Sequence, residues 1–196
     1  NAGALGIVST SAIAFGEMAP QLTEMFAEGE KGTTYEVLKK VLRRVEAATK
    51  ESKGVFGINC LVSAEMTPAA GEIIRAVIDA RDEDPAMKER LRVIITSAGD
   101  PMPWAEKIKP SGVTWFHVVP SVRHARRCER AAVDGVIASG HEGGYHVAWE
   151  PVHTMVLLPA VVNAVKTPVI AAGGFCDGAG LVAALALGAV GIQMGT

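Results

Sequence analysis

An α/β fold of the (β/α)8, or TIM-barrel, class is what this sequence predicts, and three observations carry the prediction. Short apolar runs alternate with amphipathic stretches along the chain, with no shift in composition to mark a domain boundary. The 196 residues are 49% apolar and 5% aromatic and include 21 glycines, which suits parallel strands buried beneath helices. No GxGxxG follows an early strand, which argues against a doubly wound dinucleotide-binding sheet. The chain enters directly on an apolar segment and stops on a strand. The expectation is therefore a partial barrel over residues 1–196 that lacks its first strand and last helix.

The elements follow in order. Residues 5–8 read as a strand, and Phe15, Met18, Leu22, Met25 and Phe26 follow at roughly helical spacing. Thr33 and Glu36 form a capping box for a helix whose apolar face is Leu38, Val41, Leu42 and Val45, with Lys39, Lys40, Arg43 and Arg44 toward water. Residues 55–62 are a strand. Thr67 is expected to cap the next helix, with Pro68 at its first position and Ile73, Ile74, Val77 and Ile78 as its buried stripe. A strand over 91–95 ends at Ser97-Ala98-Gly99-Asp100-Pro101, and a short helix covers 104–108. A strand over 113–119 leads to a helix capped by Ser121 that runs through Ala132, and 135–138 is a short strand. After a loop rich in Gly and His, the helix over 154–165 carries Pro159, which should kink or break it. A strand over 168–172, the turn Gly173-Gly174, a helix within 178–188 with Asp177 as its candidate cap, and a strand over 191–194 complete the chain.

Composition excludes several function classes. With 19 basic against 21 acidic residues and a net charge of −2, there is no cationic excess to hold a nucleic-acid backbone. Cys60, Cys128 and Cys176 are too few and too scattered for a disulfide framework, and no CxxC pair exists for a zinc ribbon. A reducing, cytoplasmic setting fits that usage. The longest apolar stretch, 155–162, contains Pro159 and is far too short to span a bilayer, so no membrane partner is expected.

In a barrel the chemistry sits where strands end. Those exits are Asn59-Cys60, Ser97 to Asp100, Pro120-Ser121, the loop from Gly140 to His146, Gly173-Gly174 and Gly195-Thr196. Two glycine clusters on neighbouring exits, with a helix start after Gly174, suit a phosphate; the bland alternative is a tight turn. His141, His146 and His153 crowd one loop with Glu142, Tyr145 and Glu150. His141-Glu142 followed by His146 resembles HExxH, but the spacing is one residue too long and two glycines would spoil the helix, so no metal site is expected. The remaining readings are a histidine acting as acid or base over a ligand, or a loop histidine bonded to backbone. Cys60 and Cys176 read as small buried residues. The basic run from Arg123 to Arg130 reads as a solvated helix face, and Ser97 and Ser121 lack the GxSxG setting of a nucleophile.

The stretch Pro168-Val169-Ile170-Ala171-Ala172-Gly173-Gly174, then Asp177-Gly178, Ala184 to Ala189 and Gln193-Met194-Gly195-Thr196, resembles the nitronate monooxygenase (2-nitropropane dioxygenase-like) family. That family includes the flavin-dependent enoyl-acyl-carrier-protein reductases. Phe56-Gly57-Ile58-Asn59, Val118 to Val122 and residues 134–146 match in the same order. The resemblance implies a TIM barrel that binds FMN. It implies that Gly173, Gly174, Gly195 and Thr196 hold the FMN phosphate, that Gln193 and Met194 contact the cofactor, and that Asn59 lies near the flavin ring. His146 matches the catalytic histidine that ends the family's Gly-x-Glu-x-Gly-Gly-His motif, and Tyr145 stands where the family commonly has Gly.

The implied activity is oxidation of alkyl nitronates by oxygen, with His146 moving the proton. The alternatives are an NAD(P)H-dependent FMN enoyl reductase acting on an enoyl thioester, a flavin-free barrel lyase or isomerase on a phosphorylated substrate, and a non-catalytic flavoprotein. The expected partner is a small-molecule substrate, and a homodimer is left open.

Overall fold

The computed structural model describes residues 4–16, 30–52, 54–144, 146–150 and 152–195. The expected helical spacing through Met18, Leu22, Met25 and Phe26 lies outside them, as do Tyr145 and Thr196. Two compact units emerge: Asn1–Gly99 with Glu106–Thr114, and Asp100–Ala105 with Trp115–Thr196.

The first unit holds β1 (Gly6–Ser9), α1 (Ser11–Phe15), α2 (Thr34–Ala48), β2 (Phe56–Leu61), α3 (Thr67–Glu83), α4 (Pro85–Arg90) and β3 (Leu91–Ser97). The strands are parallel, with Ser9 beside Asn59 and Asn59 beside Ile95. β2 is buried along nearly its whole length, which is why it reads as one continuous apolar run. At Gly57 the neighbouring strand comes so close that a Cβ would sit 2.7 Å from the Val93 carbonyl oxygen. α2 begins with the expected capping box: the Thr33 hydroxyl accepts from Glu36 N, and the Glu36 carboxylate accepts from Thr33 N. Its Leu38 and Leu42 are fully buried, as are Ile73 and Ile74 of α3. Each such side chain contributes about 1.5–3 kcal/mol of burial.

One cap differs from expectation. Thr67 is the first residue of α3, continuing from the 3-10 turn Ala64–Met66, and its hydroxyl donates to the Ser63 carbonyl at 3.4 Å. Placed inside the helix and not before it, the side chain leans back along the preceding turn instead of over the N–H groups ahead, and Pro68 already removes one of those donors.

A 3-10 turn, Met102–Trp104, leads into the single turn α5 (Ala105–Ile108). The second unit is built on β4 (Thr114–Val119), α6 (Val122–Arg130), β5 (Gly135–Ser139), α7 (Thr154–Val162), β6 (Val169–Ala172), α8 (Gly178–Ala186) and β7 (Gly191–Gln193). Its strands are again parallel and pair in chain order, with Ser139 beside Ala172 and Ala172 beside Gln193. Every strand exit from β5 to β7 therefore comes to the same end of this sheet. Ser121 caps α6 by accepting from His124 N, as expected, and the helix ends at Arg130. Arg123, Arg126, Arg127 and Arg130 are exposed, which bears out the solvated-face reading.

α7 runs through Pro159 without a break and ends at Val162. Proline in a helix interior costs about 3 kcal/mol. Leu157, Leu158 and Val161 are buried beside β5 and β6, and at about 1.5–3 kcal/mol each they outweigh that cost.

Candidate functional site

The chemistry-bearing residues of the second unit meet just past β5 and β6. Gly140 follows β5 and is packed against the start of α7: a Cβ on it would lie 2.0 Å from Thr154 Oγ1 and 2.5 Å from Thr154 N. Gly173 follows β6 with φ +96°, and its Cβ would meet Thr154 Oγ1 at 2.8 Å and Gly140 N at 2.9 Å. Only glycine fits both places, and Gly174 continues the turn at φ +81°. The backbone joins these elements as well: Gly140 N donates to Ala172 O and His141 N to Val152 O, both at 3.0 Å.

Glu142 sits at the centre of this packing. Its Oε2 accepts from Thr154 N at 2.9 Å and from Thr154 Oγ1 at 2.7 Å. Its Oε1 accepts from His153 Nδ1 at 3.1 Å. The Thr154 hydroxyl and amide, followed by His153, hold the Glu142 carboxyl down at about 2, well below its ordinary 4.5. Position adds to this, because an anion at a helix start meets unsatisfied N–H groups and the positive end of the helix dipole. The His141 and His153 rings meet edge to face, 5.8 Å between centroids. Residues 141 and 142 form a turn rather than a helix, so an HExxH geometry is absent.

His146 lies exposed on the loop that Glu142 closes, with Val147 and Trp149 exposed on the same loop. Asp177 caps α8, accepting from Gly180 N at 2.8 Å. Gln193, the last residue of β7, has a buried Oε1 with no hydrogen-bond partner among the described residues. Met194 and Gly195 are exposed, and nothing lies within 4 Å of a Cβ placed on Gly195. In the first unit, Asn59 is half-buried at the exit of β2; its carbonyl accepts from Thr10 Oγ1 at 2.7 Å, and its Nδ2 lies 3.4 Å from Ser97 Oγ.

The cysteines divide. Burial pushes the Cys60 and Cys128 thiols up to about 12, which leaves them inert near neutral pH. Cys176 is exposed, which corrects the expectation that it is buried: the segment after Gly174 stays at the surface up to the Asp177 cap. Ser121 Oγ and His124 Nδ1 are 2.8 Å apart, and burial lowers the His124 pKa. That serine is already engaged as the cap of α6.

A family model described as nitronate monooxygenase matches residues 1–196. The chain belongs to the nitronate monooxygenase family. It is 32% identical over 196 residues to the (3aS,4S,5R,7aS)-5-hydroxy-7a-methyl-1-oxo-octahydro-1H-indene-4-carboxyl-CoA dehydrogenase of Rhodococcus jostii (strain RHA1), a match over 100% of this chain and 45% of that protein. It is 42% identical over 100 residues to a probable nitronate monooxygenase of Staphylococcus saprophyticus, covering 46% of this chain and 28% of that one. The chain thus spans about half the length of the curated relatives it matches along its whole extent. Among solved structures, FabK from Thermotoga maritima superposes with a TM-score of 0.71 at 31% identity, over 97% of this chain and 58% of that one. Nitroalkane oxidase from Streptomyces ansochromogenes superposes with a TM-score of 0.67 at 20% identity, over 97% and 57%. The α/β fold of the TIM-barrel class expected from the sequence is the fold of this family member.

Sequence reasoning missed the Glu142–Thr154 pairing. The signal available was a threonine opening a helix with no Ser, Thr, Asp or Asn before it to act as cap; the missing cap is supplied from twelve residues upstream.

Proposed function

We propose that the protein is an FMN-dependent oxidoreductase of the nitronate monooxygenase type, oxidising alkyl nitronates with oxygen and using His146 as the acid/base. The observation that carries this reading is the knot of Gly140, Glu142, Thr154 and Gly173, which sets a histidine-bearing loop beside a glycine turn at adjacent strand exits. The residues present fit a flavin mononucleotide. The buried Gln193 Oε1 is an acceptor without a donor, and a flavin offers a ring N–H and ribityl hydroxyls. The Gly173-Gly174 turn lies at positive φ, where backbone N–H groups can converge on an anion.

In this reading Gly173, Gly174, Gly195 and Thr196 hold the phosphate. Gln193 and Met194 contact the cofactor, and Asn59 lies near its ring. FMN, when bound, accepts and returns an electron pair. The chain's own part is to orient the ring, keep water from the reacting carbon, and move a proton at the carbon beside the electron-withdrawing group through the His146 imidazole. The setting is cytoplasmic. Among the described residues no helix is long and apolar enough to cross a membrane.

A second reading is an FMN enzyme that takes electrons from NAD(P)H and acts on a thioester. It is favoured by the full-length match to a protein named as a carboxyl-CoA dehydrogenase, and by exposed Val147 and Trp149 beside His146, which suit a bulky apolar acyl group. A visible absorption spectrum of the natural full-length protein, followed by anaerobic additions, separates the readings. Bleaching by an alkyl nitronate but not by NADPH is expected. Bleaching by NADPH moves the assignment to the reductase type, and no flavin after reconstitution with FMN overturns both.

A further inference from the structure

We infer that Glu142 is a positioning residue: its carboxylate fastens the base of the His146 loop to the start of α7 and, through Thr154, sets the orientation of the Gly173-Gly174 peptide. The inference rests on the reading of His146 and the glycine turn as a flavin site.

The loop is closed twice at its base. His141 N donates to Val152 O at 3.0 Å, and one residue further in on one side, one further out on the other, Glu142 holds His153 and Thr154. Joining the two ends of the segment that carries His146 limits how far its tip can wander. His146 lies inside that span. The wider the base opens, the less often the imidazole occupies a given position, and a small displacement of a catalytic group can cost about a hundredfold in rate.

The second link is the Thr154 hydroxyl, which lies 2.7 Å from Glu142 Oε2 and 2.9 Å from the Gly173 carbonyl oxygen. It has one proton to share between two acceptors. That shared proton ties the Gly173 carbonyl to the hydroxyl, and Glu142, by taking the Thr154 amide and hydroxyl on one carboxylate oxygen, fixes where the hydroxyl stands. The Gly173 C=O and Gly174 N–H belong to one planar trans peptide and point in opposite directions. Fixing the carbonyl on the Thr154 side therefore aims the Gly174 N–H away from α7. No slack exists to absorb a change, since Gly140 and Gly173 leave no room even for a methyl group against Thr154. Removing Glu142 should therefore loosen the His146 loop and misdirect one donor of the glycine turn at the same time.

The test uses the full-length natural protein and its Glu142→Ala, Thr154→Val, Thr154→Ser and His146→Ala variants. Two quantities are read: FMN affinity from flavin fluorescence quenching, and amide hydrogen exchange in peptides covering residues 140–153 and 173–174. Glu142→Ala should raise exchange in both peptides and weaken FMN binding by about tenfold, the loss expected for a hydrogen-bond system centred on a charge. Thr154→Val, which retains the amide bond to Glu142, should weaken FMN binding several-fold, and Thr154→Ser should restore it. His146→Ala should lower turnover while leaving FMN affinity unchanged. If Glu142→Ala and Thr154→Val leave exchange and FMN affinity unchanged while His146→Ala removes turnover, the positioning role is overturned and the flavin reading stands. If the wild-type protein binds no FMN, the flavin reading falls, and the role of Glu142 is then judged on exchange alone. Should Glu142→Ala fail to fold, the Val and Ser variants at Thr154 decide the matter through the same two readings.

Discussion

The two units of the molecule spend charge on backbone groups in opposite senses, through a buried arginine in one and an exposed glutamate in the other. In the first unit, Arg90 ends α4 immediately before β3 and reaches the carbonyl end of α2. Its Nη1 donates to Glu46 O at 2.8 Å and Glu46 Oε1 at 3.0 Å, and its Nη2 to Thr49 O at 2.8 Å and to Thr49 Oγ1. Its Nε donates to Gly54 O at 3.3 Å. A neighbouring fork, Arg81, donates to the carbonyls of Leu91, Lys88 and Gly112. In the second unit a carboxylate, Glu142, serves the N–H end of α7 just after β5. A cation meets the negative end of a helix in one case, and an anion the positive end in the other. The difference lies in where along the strands they act. The arginines work where a strand begins, Glu142 where one ends. In a barrel fold the first location bears on stability and the second on chemistry.

The sharpest way to break this contrast is at the glycines. Gly140→Ala places a methyl group 2.0 Å from Thr154 Oγ1 and against the rigid start of α7. A loss of about 3 kcal/mol in chemical denaturation is expected, together with loss of FMN binding. Gly57→Ala in β2 meets the Val93 carbonyl at 2.7 Å but shares the strain with the Val93 side chain at 2.8 Å. About 1–2 kcal/mol is expected there. Equal losses at the two sites would mean that the knot around Thr154 is no tighter than an ordinary strand contact.

Arg90→Ala should cost about 2–3 kcal/mol, because three carbonyls lose a charged donor in a place where the side chain is only 10% exposed. Urea denaturation of the purified variant reads this directly. FMN affinity that fell along with stability would erase the division between the two ends of the strands.

How much of this was legible in the sequence depends on how far each interaction reaches. Of the seven strands among the described residues, β2, β3 and β5 were the plainest to read because most of their residues are buried, whereas β4 alternates and β1, β6 and β7 are only three or four residues long. The caps Thr33, Ser121 and Asp177 were readable because each serves an N–H three residues ahead. Arg90 reaches back 41 residues to Thr49, and Glu142 reaches across a loop to Thr154, so neither leaves a local pattern. Thr67 carries a local pattern that the preceding 3-10 turn overrides. The candidate site was legible in its glycines and in His146, whereas the residue that joins them looked like one more polar side chain in a loop.

Acid sharpens the comparison without a mutation. The Glu142 carboxyl is held at about 2 in the folded chain against an ordinary 4.5, so its ionised form contributes stability that is fully present above 4.5 and is lost as the pH falls toward 2. Protection of residues 140–153 from hydrogen exchange, taken relative to the intrinsic rate at each pH, should fall over that window, and Glu142→Gln should flatten the fall. The guanidinium of Arg90 keeps its charge throughout, so exchange around residues 46–54 should not follow the same curve.

The smallest effect is expected at the pair Asp100–Arg127 in the second unit. The geometry is good: Arg127 Nε donates to Oδ1 at 2.7 Å and Nη2 to Oδ2 at 2.5 Å, and the hydrogen bond from Arg127 pulls the Asp100 carboxyl below its ordinary range. Both side chains are nevertheless open to water, at 40% for Asp100 and 44% for Arg127. Water and salt screen such a pair, and an exposed bidentate contact stabilises by less than about 1 kcal/mol. Asp100→Asn also keeps an amide oxygen able to accept from Met102 N, as Oδ1 does at 3.1 Å. Denaturation midpoints for this variant should therefore lie close to wild type at low salt and converge with it at high salt. A larger loss that persisted at high salt would mean that Asp100 acts as Arg90 does, through backbone groups shielded from water, and that charge spent on backbone is the rule at this turn as well.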